Sequence, residues 1–225
     1  MKRIKSLAAE LQPELLRIRR HLHAHPELSF QEFETSQFVK SCLTEYGIPF
    51  QAMTETGVVG LIQGNPPHKR CIALRADMDA LPIAEANDVG YRSQTEGVMH
   101  ACGHDVHTTC LLGAAKILYN LRAEWEGTVK LIFQPGEEKS PGGASLMIDA
   151  GVLENPAPDA ILGLHVDPSL PVGMAGFRPE QYMASADEIY MIIRGKGGHA
   201  ALPHLTVDPI AIAAQIITTL QQIVS

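Results

Sequence analysis

The sequence predicts an α/β fold: a mostly parallel central sheet with flanking helices on both faces, followed by the start of a small α+β domain. Two observations carry this. From Val58 to Leu164, short apolar runs alternate with stretches of helical periodicity, the pattern of strand–helix–strand units. Pro168, Pro171 and Pro179 then interrupt the chain, and one further strand-like and one helical stretch follow.

Each element has its own local signal. Leu7, Leu11, Leu15, Ile18 and Leu22 recur at helical spacing over residues 4–23, with Pro13 marking a kink or a restart. A second helix over residues 32–46 stops at Gly47, a common C-terminal signal. Residues 58–62, 71–74, 128–133 and 159–164 read as strands, and residues 106–121 and 143–150 as helices. A boundary near Arg178 divides the chain into 1–178 and 179–225. Beyond it, residues 188–193 read as a strand and Gly195–His199 as a loop. Asp208-Pro209 opens a helix with an N-cap followed by proline. That helix carries Ile210, Ile212, Ile216, Ile217, Leu220, Ile223 and Val224, too broad an apolar surface for one face. It reads as a packing helix, with a dimer face as the second reading.

Composition narrows the function classes. A net charge of −7 over 225 residues argues against a nucleic-acid surface and leaves no polybasic membrane patch. No apolar run approaches the length of a membrane span, and Glu10, Gln12 and Glu14 follow the basic start in place of a signal core. Cys42, Cys71, Cys102 and Cys110 form no CxxC pair and read as reduced thiols of a cytoplasmic protein.

In open α/β sheets, ligands gather beyond the carboxyl ends of the strands. Asp77 and Asp79 follow one expected strand, Glu137 and Glu138 a second, and His165 closes a third, while Cys102 and His104 precede a helix. A thiol and imidazoles this close suit a divalent transition metal. A spare carboxylate beside a ligand carboxylate suits metal-assisted hydrolysis. Blander readings stand beside this one. Cys102 could be a small core residue and His104 a helix cap. Glu137 could pair with Lys139, and Asp77 could orient a ligand or cap a loop. His100 and His107 read as supporting or solvent-facing groups and not as ligands. His21, His23 and His25 read as helix-end structural residues, since positions i and i+2 do not share a face. The glycines around Lys196 are not a phosphate loop, because GxxxxGK[ST] is absent.

The chain resembles the M20 family of metallopeptidases and amidohydrolases, in particular its aminoacylase and hippurate-hydrolase branch. The matching segments are Arg19-Arg20-His21-Leu22-His23 with Pro26-Glu27, Leu74–Pro82 (LRADMDALP), Met99–Asp105 (MHACGHD), Gln134–Glu138 (QPGEE), Gly163-Leu164-His165 and Gly198–His204 (GHAALPH), in family order over nearly the whole chain. The resemblance implies that Cys102, His104, Glu138 and His165 are metal ligands and Glu137 the general base. Asp79 would orient a ligand histidine. His199, on a lid and dimerisation domain, would reach the partner subunit's site and stabilise the oxyanion. It implies two zinc or manganese ions per site, an N-acyl amino acid substrate and a homodimer through the lid. Asp77 stands two residues before Asp79 where other branches carry histidine, which fits this branch.

Family members are longer and supply one more ligand histidine, and no histidine follows His204 here, so the chain reads as truncated. The resulting expectation is an amidohydrolase of N-acyl amino acids or related small conjugates. Its rivals are a dipeptidase or carboxypeptidase with the same metal chemistry, and an inactive metal-binding or dimerisation fragment. A redox role for Cys102 is disfavoured by the lack of a resolving cysteine.

Overall fold

The computed structural model describes residues 2–67, 70–183 and 189–223. The chain divides into two compact units, Met1–Pro171 and Val172–Ser225.

The first unit is built on a five-stranded sheet of β1 (Phe50–Met53), β2 (Gly57–Gln63), β3 (Cys71–Asp77), β4 (Thr128–Gln134) and β5 (Ala160–Gly163), in the order β1-β2-β4-β3-β5. β4 and β5 flank β3 in parallel, whereas β2 is antiparallel to both β1 and β4. β2 therefore opposes the other strands, which share one direction. In register, Asp77 lies level with Gln134 and Arg75 with Gly163. The carboxyl ends of β3, β4 and β5 thus form one edge.

Helices cover both faces. On one side α1 (Lys2–Ala24), α2 (Phe33–Tyr46) and α3 (His104–Asn120) bury Ile18, Leu22, Val39, Leu43, Leu111 and Leu112 against Val58, Ile62, Leu131 and Phe133 of the sheet. On the other, Met147 of α4 (Gly143–Asp149) and Val152 pack on Val59, Ala73 and Ile132. The period-2 switch between Leu131, Ile132 and Phe133 assigns each strand residue to one layer. α1 runs through Pro13 without a restart. α2 ends where expected: Gly47 takes φ 73°, and its N–H bonds the carbonyls of Leu43 and Thr44. Lys130 is buried in β4, its Nζ donating to Val152 O and Glu154 O at 2.7 Å each, so its charge is met by two carbonyls just beyond α4.

The structure departs from the sequence expectation in two elements. β1 was not expected; it is an exposed edge strand, so Phe50-Gln51-Ala52-Met53 shows no buried alternation and is held by its hairpin with β2. The strand expected over residues 188–193 is absent from the described residues 189–193, and Glu188 lies outside the described residues. A strand needs a partner ladder, and the described part of this unit contains only the isolated bridge between Lys196 and Val207. In the same unit, Asp208 caps α5 (Pro209–Leu220) as the sequence predicts, with Oδ1 accepting from Ile210 N at 2.9 Å and Ala211 N at 3.4 Å.

Phe133 is fully buried where the three-helix layer meets the sheet. Phe133→Ala is expected to cost about 3–5 kcal/mol of unfolding free energy in a urea titration; a loss below about 1 kcal/mol would mean the layer repacks freely.

Candidate metal centre

The edge formed by β3, β4 and β5 and the N-terminus of α3 bring Asp77, Asp79, Cys102, His104, Glu137, Glu138 and His165 together. Cys102, His104 and His165 form one group of converging ligand atoms, and His104, Glu137 and Glu138 another.

His104 is almost fully buried, and its two ring nitrogens have different surroundings. Nδ1 lies 3.2 Å from Asp79 Oδ1, so it carries the proton and donates. Asp79 is itself fixed by Ser29 Oγ at 2.6 Å and the Glu138 N–H at 2.9 Å, both on Oδ2. The His104 Nε2 lone pair faces Asp77 Oδ2 at 3.6 Å and Glu138 Oε1 at 3.8 Å. Both Nε2 of His104 and Oε1 of Glu138 are buried without a hydrogen-bond partner. Burying a lone pair against two carboxylates costs free energy unless a cation joins them. These residues therefore fit a divalent metal, which the mixed thiol, imidazole and carboxylate donors also suit.

The protonation pattern agrees. Burial, then the Glu138 carboxylate beside it, then Glu137 and Asp77 push the Cys102 thiol up to about 12. With these anions uncompensated the sulfur stays a thiol; a cation among them favours the thiolate. Burial and the neighbouring Glu138 raise the Glu137 carboxyl above its ordinary value. Its side chain is exposed and makes no ion pair with Lys139 among the described residues. Burial works against ionisation of Asp77, yet the His107 hydrogen bond and the Arg75 guanidinium hold its carboxyl down at about 2. His104 is raised: burial opposes its charge, but Asp79 and Asp77 outweigh that.

His165 directs Nδ1 to Val166 O at 2.7 Å, which leaves Nε2 facing Cys102 Sγ at 3.4 Å. Gly103, between Cys102 and His104, takes φ +88°, and a Cβ there would lie 2.3 Å from Val166 Cγ2. Glycine is needed for both the backbone conformation and that close approach. His107 is buried, with Nδ1 2.6 Å from Asp77 Oδ1 and Nε2 accepting from Val166 N at 2.9 Å. Both nitrogens are engaged, so although it lies within reach of Asp77 and His104 it supports the site and does not ligate. His100 is buried with neither nitrogen hydrogen-bonded, and burial pushes it down to about 4.

Sequence reasoning missed Glu32. In the sequence it looks like an ordinary acidic residue at a helix start. It is fully buried instead, Oε1 accepting from Gly136 N at 2.7 Å and Phe30 N at 2.9 Å, Oε2 from Thr56 Oγ1 at 2.8 Å. It thereby pins the turn that carries Glu137 and Glu138. Glu27 binds the α2 N-terminus, accepting from Thr35 N at 2.8 Å and Glu34 N at 3.1 Å. His23 is also more than a helix end: it bonds Asp105 at 2.8 Å and Glu85 at 3.1 Å, tying α1 to the start of α3. Two carboxylate partners raise its pKa, Asp105 most, against the opposing effect of burial. His199 lies in the second unit, where its Nδ1 accepts from Ala201 N at 3.2 Å and the ring proton is left to Nε2.

Residues 73–224 match the model of peptidase family M20/M25/M40. The chain is 48% identical over 223 residues to an N-acyl-L-amino acid amidohydrolase of Geobacillus stearothermophilus, covering 99% of this chain and 60% of that protein. Among solved structures it is similar to a dinuclear metal-binding M20 peptidase of Bacillus subtilis (44% identity, TM-score 0.68, 75% of this chain and 46% of the other). It is also similar to a candidate aminohydrolase of methicillin-resistant Staphylococcus aureus (34% identity, TM-score 0.79, 98% and 58%). The chain thus spans about half to three-fifths of the length of these relatives.

The depressed Asp77 carboxyl links the site to stability. Its folded value of about 2 lies below an unfolded value near 3.9, so its contribution is fully present above about pH 4 and is lost as pH falls toward 2. The destabilisation caused by Asp77→Asn in urea unfolding should therefore narrow by about 1 kcal/mol from neutral pH to about pH 3. Parallel pH profiles for wild type and variant would contradict this assignment.

Proposed function

This chain belongs to peptidase family M20/M25/M40, and from that premise we propose that it is a metal-dependent amidohydrolase cleaving the amide bond of N-acyl amino acids. The observation that carries this reading is the convergence of His104 Nε2 and Glu138 Oε1, buried and unpartnered, beside Asp77, Cys102 and His165.

Cys102, His104, Glu138 and His165 would hold the metal, as two zinc or manganese ions, in keeping with the dinuclear relative. A bound divalent ion polarises the substrate carbonyl and brings the pKa of its water from 15.7 to roughly 7. Asp79 holds Nδ1–H of His104 and so keeps the Nε2 lone pair directed inward. Glu137, raised in pKa and with a free carboxylate, takes the proton of the attacking water and delivers it to the departing amine nitrogen as the C–N bond breaks. The products are a carboxylate and an amino acid. The Nε2–H of His199 is a donor suited to the oxyanion that develops on the carbonyl oxygen. We assign it that role across a homodimer formed through residues 179–225, with residues 1–178 as the catalytic domain. The exposed Ile210 and Ile217 of α5 support such a contact. No described helix is long and apolar enough to cross a membrane, and four free cysteines favour the cytoplasm.

The test is hydrolysis of N-acetyl amino acids against dipeptides, followed by amine release, with zinc- and manganese-loaded chain. Chelation should abolish turnover of the N-acetyl substrates and metal should restore it. Glu137→Gln should lower kcat by at least about 100-fold while metal is retained. Preferred turnover of dipeptides would replace the substrate class. A chain that binds metal but hydrolyses neither would establish the non-catalytic binding module.

A further inference from the structure

His165 is held chiefly through the main chain of its neighbour. It follows β5, an edge strand exposed at every position, with Ile161, Leu162 and Leu164 open to solvent. Core packing therefore does little to fix its ring. What fixes it is the backbone of the next residue. Val166 is restrained at three points: its N–H donates to His107 Nε2 at 2.9 Å, its C=O accepts from His165 Nδ1 at 2.7 Å, and its side chain lies against Gly103. The first of these fixes the peptide plane that joins His165 to Val166.

His107 is suited to that task. A backbone N–H can only donate, so Nε2 of His107 must accept and the ring proton sits on Nδ1, where it donates to Asp77 Oδ1 at 2.6 Å. Asp77 is anchored in turn by Arg75 Nη1 at 2.6 Å, and Arg75 by Gln134 at 2.8 Å. The Thr108 hydroxyl donates to Asp77 O at 2.8 Å and ties the strand to α3. The His107 ring also meets the His165 ring edge-on, with centroids 4.6 Å apart at 67°. A hydrogen-bonded chain therefore runs from the end of β4 through Gln134, Arg75, Asp77 and His107 to the Val166 backbone.

We propose that His107 is the positioning residue for His165: acting through the Val166 backbone, it holds the His165 ring in the Nδ1–H tautomer with Nε2 turned toward Cys102. This rests on the reading of His165 as a metal ligand. It assigns to His107 a role in ligand geometry that its sequence position alone does not reveal.

Two substitutions divide the two bonds of His107. His107→Asn places an amide donor where Nδ1 was, keeping the bond to Asp77 but removing the acceptor for Val166. His107→Gln reaches the Nε2 position with an amide oxygen, keeping the Val166 bond and removing the donor to Asp77. Zn²⁺ affinity of the chain, measured by competition with a chromophoric chelator, should fall roughly 10–100-fold for His107→Asn and stay within a few-fold of wild type for His107→Gln. Unfolding midpoints of the metal-free variants show whether folding alone explains the difference. Equal affinities in both variants, or losses that track the midpoints, would overturn the proposal. A second readout needs no metal: the imidazole nitrogen resonances of His165 in the metal-free chain. Wild type and His107→Gln should show the single Nδ1–H tautomer, and His107→Asn a mixture; a single tautomer in all of them would overturn the proposal. Failure of the wild-type chain to bind Zn²⁺ would count against the hydrolase reading, while the tautomer measurement would still decide the role of His107.

Discussion

The constraint on which the rest of this unit depends is an imbalance of charge at one edge of its sheet. Asp77, Asp79, Glu137 and Glu138 gather there with a thiol and two imidazoles, and the fixed cation paired with them is Arg75. Hydrogen bonds absorb part of the negative charge. Asp79 spends its oxygens on His104, Ser29 and the Glu138 N–H, and Asp77 on His107 and Arg75. What is left over is concentrated at His104 Nε2, Glu138 Oε1 and Cys102 Sγ, where no protein donor reaches the first two. Protein interiors seldom tolerate such a residue of acceptors, and a divalent cation is the simplest group that satisfies them together.

The fold delivers this arrangement because parallel strands place their carboxyl ends together while their sequences stay far apart. The end of β3 and the residues after it contribute Asp77 and Asp79, the turn after β4 Glu137 and Glu138, the segment after β5 His165, and the approach to α3 and its first residue Cys102 and His104. Each contribution is then locked by a group outside the cluster. Glu32, at the N-cap position of α2, holds the Gly136 turn, the His23–Asp105 pair anchors the α3 N-terminus to α1, and His107 reaches the loop after β5. Three helices on one face thus do more than cover the core. They fix the directions in which the clustered donor atoms point.

Much of this was legible in the sequence. Strands β2 to β5, helices α1 to α5 and the caps at Gly47 and Asp208 follow from periodicity and turn chemistry, and the ligand-type residues fall at the strand ends where the sheet rule puts them. Resemblance supplied the expected roles; spacing alone left Cys102 and His104 open. What was not legible depends on direction. Glu32 and Glu27 look alike in the sequence, both acidic residues just before α2, yet one turns inward to the turn after β4 and the other binds the helix end. No one-dimensional pattern separates them. The link from His107 to the Val166 backbone is likewise invisible, because a main-chain N–H has no sequence signature. β1 escaped because an exposed edge strand needs no apolar alternation, and residues 189–193 misled because apolar alternation alone does not supply a partner strand.

The leftover acceptors are proposed as a cation site with Cys102 among its ligands. Co²⁺ titration of the metal-free chain tests it most directly, because cobalt reports thiolate coordination through an intense near-ultraviolet charge-transfer band. The band is expected to appear on titration, with protons released as the thiol ionises, and Cys102→Ser is expected to lose it. Cobalt binding without the band, or a band that persists in Cys102→Ser, would contradict it.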